Sequence, residues 1–68
     1  MELTINNQLR RFSEQNLSIQ DLMNIEMPEK QSGIAVAVNN TVIPKVHWAN
    51  HNLSSSDSIL IITATQGG

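Results

Sequence analysis

Two Asn-Asn pairs, Asn6-Asn7 and Asn39-Asn40, constrain the fold of this chain most, because each separates two strand-like segments. Asparagine tolerates the left-handed backbone conformation that a tight two-residue hairpin turn requires. Apolar and polar residues alternate from the first residue up to the first pair, which is the period of a half-buried strand. A return strand over residues 8–13 then completes the first predicted β-hairpin.

The second Asn-Asn pair predicts a second β-hairpin, between residues 34–38 and residues 41–43. The first of these segments, IAVAV, is apolar and contains β-branched residues, which favour strands. Gly33, directly before this segment, is expected to break regular secondary structure there. Pro44 follows the second segment and has no N–H to donate, so we expect that segment to lie at the edge of a sheet.

One helix is predicted between the two hairpins. Ser18 is the expected N-cap residue, and Asp21, three residues later, is an acidic partner for a capping box. A serine cap typically stabilises a helix by about 1 kcal/mol relative to alanine. Pro28 disfavours the helical conformation in the residue before it, so the helix should end near Ile25 or Glu26.

The segment ILII, residues 59–62, is apolar throughout, which is the pattern of a strand in the middle of a sheet. Residues 45–58 follow no regular pattern and are predicted to be irregular. A single helix can bury its apolar face here only by packing across one sheet. The sequence therefore predicts an α+β fold, in which a mixed sheet of four to five strands in ββαβ-type order packs on one helix.

Size and composition exclude several classes of function. With 68 residues and no cysteine, the chain is expected to form one domain over residues 1–66, without a disulfide, followed by a flexible tail at residues 67–68. A net charge of −2 and a single basic pair, Arg10-Arg11, argue against nucleic-acid binding. No apolar run reaches the roughly 18 residues of a membrane span, and the N-terminus lacks a signal-peptide pattern. We therefore expect a cytoplasmic protein that does not bind membranes.

Few side chains have the pattern of a catalytic or metal site. His47 and His51 have a spacing that suits zinc on a helix, but no third ligand is near, and ordinary loop histidines are the better interpretation. Residues Ser54 to Asp57 contain no nucleophile motif, so a polar turn in which Asp57 binds the backbone is favoured. Trp48 is interpreted as an anchor in the core or loop. We predict neither a catalytic residue nor a metal site.

The chain ends in Gly67-Gly68, and its terminal carboxylate is the group that suggests a chemical role. A carboxylate is a poor electrophile, so its use requires activation by attack on the α-phosphate of a nucleotide in a partner's active site. Glycine has no Cβ, so a glycine tail can enter a narrow channel and approach another backbone closely. The carboxylate of Gly68 would then be the group that reacts, and partner proteins would catalyse the reaction.

The whole chain resembles the ThiS family, the sulfur carrier proteins of thiamine biosynthesis, which have the ubiquitin-like β-grasp fold. Three stretches carry the resemblance: AVAVNNTVIPKVHW (residues 35–48), Asp57 followed by SILII, and the closing QGG. In the first stretch, the shared positions are Asn39, Val42, Ile43, Pro44, Lys45 and Trp48. The residue before the aspartate is often glycine in the family and is Ser56 here, which requires either a turn without positive φ or a strained turn.

The resemblance implies a protein that enzymes act on, rather than an enzyme. An adenylating, E1-like enzyme related to the activators of ubiquitin would use ATP and Mg²⁺ to convert the Gly68 carboxylate to an acyl-adenylate. A cysteine desulfurase, as persulfide donor, would then displace AMP and leave a thiocarboxylate. Thiazole synthase would take this sulfur to form the thiazole of thiamine. The carrier itself would bind no cofactor.

Docking on these partners is predicted to use the sheet face that the helix does not cover. Along the last strand, Ile59 and Ile61 alternate with Leu60 and Ile62. Both sets are apolar, so the residues alone leave open which set faces outward. The resemblance places Leu60 and Ile62 outward, beside the tail, and Gln66 is the further residue predicted to bind partners.

Three alternatives share the expected fold. The small subunit of molybdopterin synthase carries the same thiocarboxylate, although its sequences tend to be longer and lack the proline-to-tryptophan stretch. A modifier attached to lysines of other proteins is a second alternative. The third is a β-grasp interaction module whose tail is inert, for which deletion of Gly68 would cost nothing.

Overall fold

The computed structural model describes residues 1–29 and 31–63, which form five strands, one α-helix and one 3-10 helix. The strands are β1 (Glu2–Ile5), β2 (Gln8–Arg11), β3 (Ile34–Val38), β4 (Thr41–Ile43) and β5 (Ser58–Thr63). The α-helix, α1, is Ile19–Glu26, and the 3-10 helix is Lys45–Asn50.

The five strands form one mixed sheet in the order β2-β1-β5-β3-β4. β5 pairs in parallel with β1 and antiparallel with β3, and each hairpin contributes one antiparallel pair. The last strand of the chain therefore lies at the centre of the sheet, as predicted. The α+β class and the mixed sheet are confirmed, and β4 lies at an edge, as the proline after it predicted.

Both hairpins turn on asparagines with left-handed backbone conformations. The φ angles are +50° at Asn6, +68° at Asn7, +50° at Asn39 and +73° at Asn40. These values suit two-residue turns whose twist matches that of the paired strands. Both predicted hairpins are confirmed, although the first return strand ends at Arg11, before the predicted residue 13.

Helix α1 begins where the sequence predicted. Ser18 Oγ accepts a hydrogen bond from the Asp21 backbone N at 3.0 Å, and Asp21 Oδ2 accepts one from the Ser18 backbone N at 3.1 Å, so the capping box is present. The helix ends at Glu26, within the predicted range, and an ion pair at 2.9 Å joins Glu26 to Arg10 of β2. In the described parts of the chain, no helix is long and apolar enough to cross a membrane.

The core lies between α1 and one face of the sheet, which we call the inner face. Its buried members are Leu3, Ile5, Leu17, Ile19, Leu22, Met23, Val36, Val38, Trp48, Leu53 and Ile59. Because side chains alternate between the two faces of a strand, the intervening residues of β1, β3 and β5 point away from α1. We call the surface that they form the outer face.

The segment that the sequence predicted to be irregular contains the 3-10 helix. Pro44 precedes this helix with a φ of −58°, the value that its ring imposes and that suits a helix start. Trp48 is buried, and its Nε1 donates a hydrogen bond to the Ile43 carbonyl at 3.0 Å. The prediction of irregular structure is wrong over Lys45–Asn50, whereas the interpretation of Trp48 as an anchor is confirmed.

Candidate functional site

The two faces of β5 differ in burial, although its ILII segment is apolar throughout. On the inner face, Ile59 is 1% exposed and Ile61 packs against the core. On the outer face, Leu60 is 46% exposed and Ile62 is 45% exposed. Leu60 and Ile62 thus face outward, in the orientation that the family resemblance implies.

Leu60 and Ile62 belong to a larger apolar surface on the outer face. Leu60 pairs with Ala37 of β3, which pairs in turn with Val42 of β4, and Ile62 pairs with the exposed Ala35. Val42 is 62% exposed. We call Ala35, Val42, Leu60 and Ile62 the outer patch. Because the alanines are small, the larger side chains stand above the surrounding sheet surface.

The side chains of the outer patch are apolar throughout. Its side chains are hydrocarbons, which gain free energy when another apolar surface covers them. They can neither transfer a proton nor coordinate a metal. Contiguous exposed apolar surface of this kind commonly marks a site of protein–protein interaction.

Asn6 links the first hairpin to β5 at the level of the outer patch. Its backbone N donates to the Ile59 carbonyl at 2.9 Å. Its side chain contacts the backbone of Ile61 twice: Oδ1 accepts from the Ile61 N at 2.8 Å, and Nδ2 donates to the Ile61 carbonyl at 3.4 Å. The turn residue therefore also holds the central strand.

Asn39 links the second hairpin to the start of β5 in a similar way. Its backbone N donates to the Ser58 carbonyl at 2.8 Å, and its Oδ1 accepts from the Ser58 N at 2.9 Å. Its Nδ2 donates to Oδ1 of Asp57 at 3.0 Å. The two edges of β5 are thus each held by the first asparagine of a hairpin turn.

The polar turn before β5 is built around Asp57. Asp57 Oδ2 accepts from the Ser54 backbone N at 2.8 Å, which confirms the predicted contact of this aspartate with the backbone. Ser56 has a φ of +77°, so the strained form of the turn is the one observed. A non-glycine residue in this conformation costs roughly 1–2 kcal/mol.

The remaining residues singled out by the sequence are not part of the outer patch or lie outside the described residues. His47 is exposed within the 3-10 helix, and His51 directly follows that helix. Over residues 1–29 and 31–63, no group of three or more His, Cys, Asp or Glu side chains is arranged to hold a metal ion. Gln66, Gly67 and Gly68 lie outside the described residues.

Sequence reasoning missed the side-chain contacts of Asn6 and Asn39 with β5. The sequence predicts both residues only as turn formers, because backbone preference is sufficient to explain an asparagine in a hairpin turn. The contacts of Asn6 join positions 55 residues apart in the chain, and no local pattern reports such a contact. A signal was nevertheless available, since Asn39 is one of the positions that carry the family resemblance.

A model of the ThiS family matches residues 3–68 of the chain. The chain belongs to the ThiS family. Sulfur carrier protein ThiS of Escherichia coli (strain K12) is 33% identical over 43 residues, which are 63% of this chain and 65% of that protein. The matched stretch therefore spans slightly less than two thirds of this curated ThiS relative.

Solved ThiS structures have the same fold. The crystal structure of the thiamine biosynthesis protein ThiS from Geobacter metallireducens has a TM-score of 0.87 at 17% identity, with 100% of both chains covered. An NMR solution structure of a thiamine biosynthesis protein from the same organism has a TM-score of 0.82 at 18% identity, covering 100% of this chain and 88% of the other. At these identities the likeness establishes the fold, and the predicted ubiquitin-like β-grasp fold is confirmed.

Proposed function

We propose that this ThiS family member is a sulfur carrier for the formation of the thiamine thiazole, with the sulfur held as a thiocarboxylate at Gly68. The observation that carries the proposal is the family match, which extends through the terminal Gly-Gly. The curated ThiS relative named as a sulfur carrier supports the same function. In this proposal the chain is a substrate of its partner enzymes, and catalysis takes place in their active sites.

The proposed chemistry has two steps on the terminal carboxylate. In the first, a carboxylate oxygen of Gly68 attacks the α-phosphate of ATP in an adenylating, E1-like enzyme with Mg²⁺, which forms an acyl-adenylate and releases pyrophosphate. In the second, the persulfide sulfur of a cysteine desulfurase displaces AMP, and cleavage of the resulting S–S bond by a thiol leaves the thiocarboxylate. Thiazole synthase then consumes the sulfur. Since the first step uses ATP, we place the carrier in the cytoplasm.

The outer patch is the proposed docking surface for the adenylating enzyme. Leu60 and Ile62 are exposed on the strand that leads to the terminus. Gly68 follows Thr63, the last residue of β5, by five residues, and a segment of that length spans at most about 18 Å. A partner that covers the outer patch therefore needs an active site within about 18 Å of Thr63, the last residue of β5. Gln66 lies in this segment and is proposed to contact the partner along the way.

The experiment is ATP–pyrophosphate exchange with a purified adenylating enzyme, measured as incorporation of labelled pyrophosphate into ATP. We expect exchange to depend on the carrier and to be lost when Gly68 is deleted. The truncated chain still ends in a carboxylate, on Gly67, but that carboxylate is about 3.5 Å short of its position in the full chain.

A variant at an exposed residue that is not part of the outer patch, His47→Ala, is the matched control and should support normal exchange. Undiminished exchange with the truncated chain would contradict the assignment of Gly68. Thiazole synthase and molybdopterin synthase, each supplied with the sulfur-loaded carrier, then distinguish the thiamine pathway from its alternative.

A further inference from the structure

β5 extends further along the sheet than its neighbour β1 does. β1 pairs with β5 only at Thr4–Ser58 and Ile5–Ile59, whereas β3 pairs with β5 as far as Thr63. Within the described residues, the β1 side of β5 therefore has no strand beside it after Ile59. Yet this is the part of β5 that carries the exposed Leu60 and Ile62.

The side chain of Asn6 occupies the place where β1 would continue. Its amide offers an acceptor oxygen and N–H donors on one planar group, so it can imitate a backbone peptide group. The acceptor, Oδ1, lies 2.8 Å from the Ile61 N, and the donor, Nδ2, lies 3.4 Å from the Ile61 carbonyl O. Asn6 thus extends the hydrogen-bonding ladder along β5 by one residue after β1 has ended.

Ile61 lies between the two exposed side chains of the outer patch on β5. We propose that Asn6 is a positioning residue for docking: by holding the backbone of Ile61, it sets the orientation of Leu60 and Ile62. This inference rests on the proposed function. When the contact is lost, β3 is the one strand among the described residues that still pairs with β5 at Ile61, and a smaller fraction of molecules presents the outer patch correctly. Apparent affinity falls in proportion to that fraction.

Asn39 provides a matched control within the same molecule. It has the same φ of +50° and also holds β5 through side-chain hydrogen bonds, but at Ser58 and Asp57. Those contacts lie at the start of β5, before the outer patch. A purely structural role would make the two asparagines equivalent in their effect on docking.

The test compares Asn6→Gly with Asn39→Gly, because glycine keeps the positive φ of each turn and removes only the side-chain contacts. Hydrogen exchange of the free proteins, followed by NMR, should show the Ile61 amide exchanging about tenfold faster in Asn6→Gly. It should be unchanged in Asn39→Gly. In ATP–pyrophosphate exchange, the KM for the carrier should rise about five- to tenfold in Asn6→Gly and stay within about twofold in Asn39→Gly, with kcat unchanged in both.

A second variant, Asn6→Asp, retains an oxygen for the Ile61 N–H and tolerates the left-handed conformation, but loses the donor. We expect the KM of Asn6→Asp to lie between those of the wild type and Asn6→Gly. If Asn6→Gly does not fold, Asn6→Asp tests whether Asn6 positions the outer patch for docking. A wild-type KM in the folded Asn6 variants would overturn the proposal. An equal rise in Asn39→Gly would also overturn it, because general loss of stability would then explain both.

Failure of the proposed function gives a different result. If the wild-type chain supports no exchange with an adenylating enzyme that activates the Escherichia coli carrier, the sulfur-carrier proposal and its docking surface fail together. The hydrogen exchange of Ile61 is measured on the free protein and still reports whether Asn6 holds β5. An unchanged Ile61 amide in folded Asn6→Gly would overturn the positioning role by itself.

Discussion

The inner and outer faces of β5 consist of the same kinds of residue, but they differ in what covers them. Ile59 is buried in the core that α1 helps to form, whereas Leu60, its neighbour in the chain, is nearly half exposed. Hydrophobicity alone therefore does not assign a role to a residue of this strand. Its position relative to the helix does. The inner face stabilises the fold, and the outer face is available to bind another protein.

The largest expected effect is that of a charge on the inner face. Ile59→Asp buries a carboxylate among hydrocarbon side chains, which should cost more than about 4 kcal/mol. A domain of this size has a total stability of only about 3–10 kcal/mol. We expect a largely unfolded protein, with loss of the folded circular dichroism spectrum and of NMR dispersion. A cooperatively folded Ile59→Asp variant would contradict the assignment of the inner face.

The same substitution one residue later should affect binding and leave the protein folded. Leu60→Asp places its carboxylate in water, so the free energy of unfolding should change by no more than about 1 kcal/mol. Docking should weaken about tenfold, or about 1.4 kcal/mol, because an anchor of the outer patch is lost. The measurement is the KM for the carrier in ATP–pyrophosphate exchange, beside a denaturation curve.

Two results would contradict the different roles assigned to the two faces of β5. If Leu60→Asp unfolds the chain, the outer face is part of the core. If it folds and keeps the wild-type KM, the outer patch is not where the adenylating enzyme docks. Ile62→Asp is the independent repeat, since Ile62 has almost the same exposure as Leu60.

A smaller effect is expected at the turn before β5, where stability can change without any change in the outer patch. Ser56→Gly relieves the positive φ of +77°. The relief of roughly 1–2 kcal/mol is partly offset by the greater chain entropy of glycine when unfolded, which leaves a net gain of about 0.5 kcal/mol. The melting temperature should rise by about 2–4 °C.

The KM of Ser56→Gly for the adenylating enzyme should equal that of the wild type, because this turn precedes the outer patch. A lower melting temperature would show that the Ser56 side chain stabilises the turn by more than its backbone strain costs. Combined with the aspartate variants, this substitution separates the effects of stability from those of docking.

Most of the fold was predictable because its signals are local. The asparagine turns, the Ser18 capping box and Pro44 each act through the backbone within a few residues, so a short stretch of sequence contains the whole cause. The 3-10 helix was missed for the opposite reason. The 3-10 helix is held by the burial of Trp48 and by the hydrogen bond from the Trp48 indole to the Ile43 carbonyl. Contacts with the core therefore decide the conformation of this segment.

The sequence limits the outer face of β5 to one of two alternating sets of residues, but it does not show which of the two sets faces outward. The two alternating sets of β5 are both apolar, and the set that is buried is the one that faces α1 and the other core residues, among them Trp48 and Leu53. The family resemblance supplied the correct orientation for Leu60 and Ile62. The contact of Asn6 with Ile61 was out of reach, because it depends on β1 ending before β5 does.

The sulfur-carrier function is tested most directly by the intact mass of the protein after incubation with ATP, Mg²⁺, the adenylating enzyme and a persulfide donor. We predict a mass gain that matches the replacement of one oxygen by sulfur, located at Gly68 by fragmentation and absent from the chain that lacks this residue. An unchanged mass, with enzymes that load the Escherichia coli carrier in parallel, would contradict the proposed function and leave a β-grasp protein with no sulfur at its terminus.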